Sequence, residues 1–276
     1  MSLLSPFPTA PPRPVRGRIL PIPLTWGAAR VVEHNVYVYR RLWMMFVSGL
    51  FEPVFYLLGI GFGIGALVGS LTVNGHQVSY GVFVAPGLMA SAAMNGAIFD
   101  STFGLFYKLK YAKTYDAMLA TPITVGGIAL GEITWALLRG SIYSTAFLVV
   151  TALLGLLHSP LAVLMLPGAM LVGFAFASLG CAAATFVRSW DDFELMNLVL
   201  MPLFLFSATF FPITVYPGLL RVVVELSPLY RAIDFMRAAS LGTPTLSMVI
   251  DVLYLLALAG FGLWFTSRRM AGRLRV

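Results

Sequence analysis

Five ionisable residues lie inside long apolar stretches of this sequence, where a charge is costly and is by default a sign of function. They are Glu52, Asp100, Glu132, Arg139 and Asp251. We expect Glu52, Asp100 and Arg139 to line a polar route through a helical bundle, or to pair with one another across it. The alternative is structural, in which Asp100 and the Glu132–Arg139 pair stabilise the cytoplasmic ends of helices.

The sequence has few residues suited to catalysis, cofactor binding or metal binding. All three lysines fall within Lys108–Lys113, so the P-loop pattern GxxxxGK[ST] cannot occur. Gly61–Ala66 matches the dinucleotide pattern GxGxx[GA], but it lies in an apolar run, where GxxxG spacings favour close helix packing. Cys181 and three scattered histidines have no zinc-ligand spacing. We therefore expect no catalytic, cofactor-binding or metal residue, and a chain that is not itself an enzyme.

The composition indicates an integral membrane protein. Of the 276 residues, 59% are hydrophobic and 11% are charged, whereas about one quarter of the residues in an average soluble domain are charged. A helix needs roughly 20 apolar residues to cross a bilayer. On that rule the sequence predicts an all-α membrane fold with six spans. These are Leu42–Val68, Val82–Tyr107, Val125–Leu157, Leu161–Val187, Leu195–Ile213 and Leu246–Phe265.

The distribution of basic residues predicts the orientation of these spans. Fourteen lysines and arginines fall on the side that holds both termini, and three fall on the opposite side, with Arg139 inside a span. Because basic residues concentrate on the cytoplasmic side, we expect both termini to lie in the cytoplasm. The formal charge of +7 is then explained by basic residues on the cytoplasmic side of a membrane protein. No motif for nucleic-acid binding accompanies it.

The ends of the chain differ from the membrane domain, which we predict at 42–265. Residues 1–24 are rich in proline and are predicted to form a cytoplasmic tail, and 266–276 form a basic cytoplasmic tail. Apolar residues recur at helical spacing over 25–41, which favours an amphipathic helix lying in the membrane interface. The alternative is a simple cytosolic lead-in to the first span.

Two connections between the spans are predicted to hold short helices. On the cytoplasmic side, a helix at about 111–120 ends before Thr121-Pro122. On the outer side, the long segment at about 212–245 contains Leu219–Leu226 and Leu229–Leu241, which are too short to span and are interpreted as re-entrant or interfacial helices. Their charges predict two surface pairs, Arg221–Glu225 and Asp234–Arg237.

Several short motifs, in a fixed order between about Trp43 and Gly242, carry a resemblance to a known family. They are Glu52–Leu57, the glycine run Gly59–Gly69, Ser79–Gly87, Thr114–Leu119, Leu130–Glu132 with Trp135-Ala136, Phe176–Gly180, and Phe211-Pro212 followed by Pro228-Leu229. Through them the chain resembles the membrane subunits of ABC-2-type exporters, and within these the nodulation protein J (NodJ) group. The resemblance does not cover the tail before Trp26.

The resemblance implies a half-transporter in the bacterial cytoplasmic membrane. Two copies of the chain would form a homodimer in contact with membrane lipids, and two copies of a separate ABC ATPase would bind and hydrolyse ATP-Mg. The helix at 25–41 and the loop after the second span would contact that ATPase. The coupling residues implied in this way are Arg40, Arg41, Tyr111, Thr114, Tyr115, Asp116 and Met118.

The implied activity is export of an amphipathic substrate, which could be a lipo-oligosaccharide, a lipid or a drug-like molecule. The candidate translocation path consists of Glu52, Phe55, Asp100, Arg139 and Phe211. Two other classes stay open at this point. An ATP-independent secondary transporter or channel would use the intramembrane acids as ion sites, and a membrane enzyme would need converging catalytic groups near one interface.

Overall fold

A computed structural model describes residues 23–41, 43–73, 76–110, 114–187 and 189–273. Within these ranges the chain is mostly helical, as the sequence predicts. The first helix, α1, covers Leu24–Arg41 and corresponds to the amphipathic helix predicted at 25–41. Its place at a membrane surface stays a prediction. The proline-rich tail lies outside the described residues, apart from its last two positions.

Five helical stretches among the described residues are long and apolar enough to cross a membrane. They are Phe51–Val68, Tyr80–Lys108, Gly126–Leu153, Pro160–Ala184 and Leu246–Thr266. The first stretch consists of α2 (Trp43–Tyr56), a π-helical segment (Leu57–Ile64) and α3 (Gly65–Val68), and the second of α4 (Tyr80–Phe99), a π-helical turn (Asp100–Gly104) and α5 (Leu105–Lys110). The third is α7 (Val125–Leu153), and the fourth is a 3₁₀ turn (Pro160–Leu164) followed by α8 (Met165–Ala184). The fifth lies in α12 (Leu246–Arg273).

Between these stretches lie shorter elements. A two-stranded antiparallel hairpin, β1 (Ser70–Val73) and β2 (His76–Ser79), follows the first stretch, with Leu71 opposite Val78. The connection after the second stretch, which is predicted to be cytoplasmic, holds α6 (Thr114–Leu119). The segment at 212–245, which is predicted to lie on the outer side, holds a 3₁₀ turn (Ile213–Val215), α10 (Gly218–Leu226) and α11 (Pro228–Leu241), so the two helices predicted there are present to within one residue.

The predicted fifth span differs from the structure. Its helix, α9 (Asp192–Leu205), has 14 residues and ends before the predicted limit at Ile213. Ala208 has a positive φ of 55°, and the hydroxyls of Ser207 and Thr209 donate back to carbonyls of the last helical turn. Residues 207–210 are buried, so an apolar run that reads as a helix is in part a buried loop.

The last helix extends beyond the predicted sixth span. It continues to Arg273, whereas the apolar part that could cross a membrane ends at Thr266, within one residue of the predicted limit at Phe265. Residues 266–273 of the predicted basic tail are therefore helical, and the cytoplasmic location of the tail stays a prediction. Arginine has a high helix propensity, and the sixth span supplies a preformed helix from which the basic residues continue.

The core of the fold is α4. Every residue from Tyr80 to Ser91 is buried, which explains why this helix is apolar on all sides. Gly87 lets the buried loop after α9 approach, because a Cβ there would lie 3.2 Å from Thr209 Cγ2. Gly262 similarly lets α12 approach α8, because a Cβ there would lie 2.8 Å from the Ser178 carbonyl carbon. Small residues at such contacts are typical of helix packing in membranes.

The glycine run of the first stretch is only partly used for packing within the chain. A Cβ at Gly61 would lie 3.6 Å from Gly81 Cα, and one at Gly65 would lie 3.6 Å from Tyr80 Cβ. At Gly59 and Gly63 it would meet nothing within 4 Å. One face of the run therefore packs on the start of α4, as its spacing predicts, and the other face lies open.

Candidate functional site

A cavity of about 970 Å³ lies among α2, α4, α7, α8 and α9. Its wall includes three charged side chains, Glu52, Asp100 and Arg139, which the sequence singles out as path candidates. Most of the remaining wall consists of apolar and aromatic residues, with a few polar ones. A cavity of this size can enclose a drug-sized ligand.

Arg139 is the centre of a polar cluster in the cavity wall. One of its guanidinium nitrogens contacts the Asp100 carboxylate in an ion pair, and Nη1 donates to the Tyr39 hydroxyl at 2.6 Å. The guanidinium also lies 5.3 Å from the Tyr39 ring centroid and 5.9 Å from that of Tyr143. The cluster therefore joins α1, α7 and the second membrane-length stretch at one point.

The backbone helps to present Asp100. This residue begins the π-helical turn Asp100–Gly104, and turns of this kind are frequent at functional sites. Ser101 and Thr102 in the same turn are buried, and both hydroxyls donate to the Ile98 carbonyl. The predicted alternative in which Glu132 pairs with Arg139 is not the arrangement observed, because Glu132 pairs with Lys108 instead.

Glu52 contributes the second carboxylate of the cavity. It lies on α2 next to Pro53, and its side chain is exposed. Among the described residues it has no ion-pair partner and no side-chain hydrogen bond. The carboxylate is therefore available to a group that enters the cavity.

The other two path candidates lie elsewhere. Phe55 is 64% exposed and stacks on Phe51, with ring centroids 5.6 Å apart. Phe211 lines a separate cavity of about 240 Å³ with Tyr80 and Pro212. The structure thus brings together three of the five predicted path residues and leaves these two outside the main cavity.

Sequence reasoning missed several residues of the cavity wall. Asn95 and Asn197 are polar residues within apolar runs, a signal that could have identified them. Tyr39 lies on the helix predicted at 25–41, and its contact with Arg139 joins positions 100 residues apart. No local pattern indicates a contact of that kind.

An aromatic cluster closes one part of the wall. Phe103 stacks on Phe99 with ring centroids 4.8 Å apart, and it lies 5.5 Å from Phe193 at the start of α9. Trp190 is 5.0 Å from Phe103 and 5.9 Å from Phe193. These rings attach the start of α9, which has no buried residue of its own, to the second stretch.

A second candidate site lies where α1 packs on the start of α7. Gly131 is required there, because a Cβ would come within 2.9 Å of both the Ala28 carbonyl oxygen and Val31 Cγ1. Lys108 Nζ donates to Glu132 at 2.6 and 2.7 Å and to the Asn35 side chain at 3.2 Å. The end of the second stretch, α7 and α1 are therefore tied together.

The short helix α6 packs against this second site through Tyr115 and Met118. Tyr115 is 7% exposed and packs with Val31 and Ile128. Burial, and the negative charge of Glu132, raise the pKa of the Tyr115 hydroxyl above its ordinary value. Met118 packs against the same cluster. Tyr115 and Met118 thus face the protein, and Leu119, which is 46% exposed, faces away from it.

The remaining predicted coupling residues are distributed as follows. Arg40 and Arg41 are exposed at the end of α1, and Arg41 contacts Tyr37. Thr114 is half-buried at the start of α6. Tyr111 lies outside the described residues, and Asp116 belongs to α6 with a side chain that the structure does not describe.

Two arginines hold the segment at 212–245 against the rest of the chain. Arg237 is buried, donates to the carbonyls of Ala208 at 2.9 Å and Phe83 at 3.4 Å, and lies 3.9 Å from the Phe83 ring centroid. The predicted Asp234–Arg237 pair is therefore wrong, whereas Arg221–Glu225 is present at 2.8 Å. Arg231 pairs with Asp251 of α12 at 3.3 Å.

Several membrane-length helices around a shared cavity define a polytopic helical membrane protein. Residues 30–241 match the family model described as ABC-2 type transporter. The chain therefore belongs to the ABC-2 family of transport permeases, membrane subunits that are not themselves enzymes and that generally pair with an ABC ATPase subunit.

Individual relatives agree with this assignment. The chain is 33% identical over 231 residues to nodulation protein J of Rhizobium leguminosarum bv. viciae, covering 83% of this chain and 87% of that protein. It is 35% identical over 223 residues to nodulation protein J of Neorhizobium galegae, covering 80% and 83%. It is 24% identical over 232 residues to the inner membrane transport permease YadH of Escherichia coli (strain K12), covering 82% and 88%.

Proposed function

We propose that this chain is the transmembrane permease subunit of an ATP-driven exporter that moves an amphipathic substrate out across the cytoplasmic membrane. The substrate enters the main cavity from the cytoplasmic side or the inner leaflet. A separate ABC ATPase binds and hydrolyses ATP-Mg, and its closure tilts the helices around the cavity. The substrate is a lipo-oligosaccharide, a lipid or a drug-like molecule.

The main support for this proposal is one contact between the cavity and α1. Arg139 in the cavity wall bonds to Tyr39 of α1 at 2.6 Å, and α1 is the helix that the family resemblance assigns to the ATPase interface. A displacement of α1 therefore acts directly on the Arg139–Asp100 pair in the cavity. The ATPase and the substrate are in this way linked through one hydrogen bond and one ion pair.

A second connection supports the same coupling. The exposed Leu119 side of α6 provides a contact surface for the ATPase, and the buried Tyr115 transmits a push on α6 to Val31 of α1 and Ile128 of α7. The Lys108–Glu132 pair connects the end of the second stretch to α7, and so to the same group of helices. We propose that α1, α6 and the start of α7 move as one unit when the ATPases close.

We propose that two copies of the chain form the membrane part of the transporter. Gly59 and Gly63 present open backbone on the first stretch, and α9 has no buried residue within one chain. A second copy packed along these two helices covers both surfaces. Substrate access between the two copies and a rocking motion about this interface then provide alternating access.

The proposed orientation places both termini in the cytoplasm. A 14-residue helix such as α9 is about 21 Å long, and the non-helical residues 206–212 extend the same segment further. Together they make the fifth of six crossings, with α10 and α11 as re-entrant or interfacial helices on the outer side. Ion pairs on these helices, such as Arg221–Glu225, contribute little to stability there.

The alternative is an ATP-independent secondary transporter or channel. Such a protein would use the intramembrane acids as ion sites. Asp100 and Asp251 are each paired with an arginine, which disfavours both as cation sites, whereas Glu52 has no ion-pair partner among the described residues. The ATP-driven proposal is preferred because it needs no ion site and because ABC-2 permeases generally pair with an ABC ATPase subunit.

Labelling of the cavity by a membrane-impermeant maleimide tests the proposal without knowledge of the substrate. Asn197→Cys, on a Cys181→Ser background, places one thiol in the cavity wall. In inverted native membrane vesicles, ATP with orthovanadate is expected to change its labelling rate at least about threefold, because a shift between inward- and outward-facing states alters access. Collapse of the proton gradient alone is expected to leave the rate unchanged.

Ser189→Cys in the same background is the matched control, since Ser189 is exposed in the turn before α9. Its labelling is expected to be independent of ATP. A cavity thiol that responds to the proton gradient and not to ATP would contradict the proposal and favour the secondary transporter.

A further inference from the structure

The charges of the described residues that line the main cavity do not sum to zero. Asp100 and Arg139 form an ion pair and contribute no net charge to the wall. Glu52 is the only other charged residue among the described residues that line the cavity, and it has no ion-pair partner among them. The described wall of the cavity therefore carries one uncompensated negative charge.

The apolar surroundings of Glu52 strengthen the attraction of its negative charge for a cation in the cavity. Glu52 is exposed in a cavity wall that is mostly apolar, and a charge beside low-dielectric walls acts on an entering ion more strongly than one surrounded by water. An unpaired acid within a membrane segment is also costly to keep. A positively charged group in the cavity removes that cost.

The aromatic walls favour the same sign of charge. Nine aromatic rings line the described part of the cavity, and the face of an aromatic ring attracts cations. These rings are Tyr39, Tyr56, Phe99, Phe103, Tyr143, Phe147, Phe174, Phe193 and Phe204. Arg139 already lies over the faces of Tyr39 and Tyr143, and the other rings supply apolar surface for the body of a ligand.

We infer that the main cavity selects amphiphiles that carry one positive charge, with Glu52 as the counter-charge, over neutral or anionic amphiphiles of the same shape. The ligand class is a hydrophobic ammonium, phosphonium or protonated amine. The inference rests on the proposed function, because it assumes that this cavity receives the transported substrate. It narrows the substrate to a charge type that neither the family nor its relatives' names specify.

Two probes of nearly identical shape and opposite charge test the inference directly. Tetraphenylphosphonium and tetraphenylborate are each dialysed to equilibrium against the purified full chain in a neutral maltoside detergent, with partition into protein-free micelles subtracted. The chain is expected to bind the phosphonium at least about tenfold more tightly than the borate, a difference of about 1.4 kcal/mol.

Variants then assign this preference to one residue. Glu52→Gln is expected to lower affinity for the phosphonium about tenfold or more, and Glu52→Asp is expected to keep the preference because it keeps the charge. Glu225→Gln is the control, since Glu225 lies on α10 in an exposed pair with Arg221, and it is expected to bind as the unmodified chain does.

Equal affinity for the two probes, or an unchanged preference in Glu52→Gln, would overturn the inference. The comparison of probes on the unmodified chain needs no variant, so it remains decisive if Glu52→Gln does not fold. The binding assay contains no ATP and no ATPase. Failure of the charge preference is therefore distinguishable from failure of the proposed function, which the nucleotide-dependent labelling tests.

Discussion

Arg139 of α7 pairs with the Asp100 carboxylate of the neighbouring stretch, with 11% and 20% of the two side chains exposed. The pair lies in the wall of the main cavity and is also bonded to Tyr39 of α1. It is thus both a structural clamp between two membrane-length helices and the point where α1 meets the cavity. The two roles can be separated by substitution.

Asp100→Asn is expected to destabilise the protein, because it leaves the Arg139 charge largely buried without its partner. For such pairs, loss of one partner costs about 3–5 kcal/mol when burial is complete, and partial exposure reduces this to about 2 kcal/mol here. We expect the melting midpoint of the purified chain to fall by about 4 °C or more, measured by intrinsic fluorescence in detergent.

The double variant Asp100→Asn with Arg139→Gln provides the control for this pair. Removing both charges is expected to cost less than the sum of the two single variants, since the residues are in direct contact. Additive losses would show that Asp100 and Arg139 do not interact in the folded protein.

Tyr39→Phe is expected to abolish or weaken the response of cavity labelling to ATP while it leaves the fold intact. The substitution removes the hydroxyl that accepts from Arg139 at 2.6 Å and keeps the ring, so the stability loss is about 1–2 kcal/mol for a hydrogen bond to a charged group. The readout is the effect of ATP with orthovanadate on labelling of Asn197→Cys in native vesicles.

Tyr37→Phe is the matched control, because Tyr37 lies on the exposed side of the same helix, and its hydroxyl makes only a long 3.5 Å contact with Arg41. We expect its labelling response to be normal. If both tyrosine variants keep the response, the Tyr39–Arg139 contact is not the link between α1 and the cavity.

The pair between Lys108 and Glu132 is expected to hold α7 to the end of the second stretch. Glu132→Gln removes the carboxylate that accepts two hydrogen bonds from Lys108, and we expect a loss of about 1–3 kcal/mol. Glu33→Gln, in the exposed Arg30–Glu33 pair, is expected to shift the melting midpoint by less than about 1 °C. Equal effects of the two variants would contradict a special role for Glu132.

The two sides of α6 are expected to respond differently to substitution. Tyr115→Ala removes a buried ring and is expected to cost about 3 kcal/mol of stability. Leu119→Asp changes an exposed residue, and we expect it to leave the melting midpoint nearly unchanged while it reduces the amount of ATPase recovered with the chain. The assignment fails if Leu119→Asp recovers as much ATPase as the unmodified chain.

The sequence predicts most of the membrane-length helices, because length and apolarity alone decide whether a helix can cross a bilayer. It also predicts α10 and α11, since Pro217 and Pro228 mark their starts. The same reasoning extends the predicted fifth span too far. Residues 207–210 are apolar enough to read as helix, although they form a buried turn whose conformation depends on α4 and on the Arg237 side chain.

The candidate site is predictable only in part, for a similar reason. Charges in apolar runs identify Glu52, Asp100 and Arg139 because any membrane segment must accommodate them. Which charge pairs with which depends on helix rotation and on contacts far apart in the chain. For this reason the sequence leaves Glu132 and Arg139 as possible partners, whereas the structure gives each a partner from another element.

Recovery of the chain from its native membrane in a mild detergent tests the central claim most directly, with the co-purifying proteins identified and quantified by mass spectrometry. We predict a soluble subunit with a P-loop in about equimolar amount, whose ATPase activity depends on the presence of the chain. Repeated preparations, with and without crosslinking, that contain no such subunit would contradict the account and return the protein to the class of ATP-independent transporters.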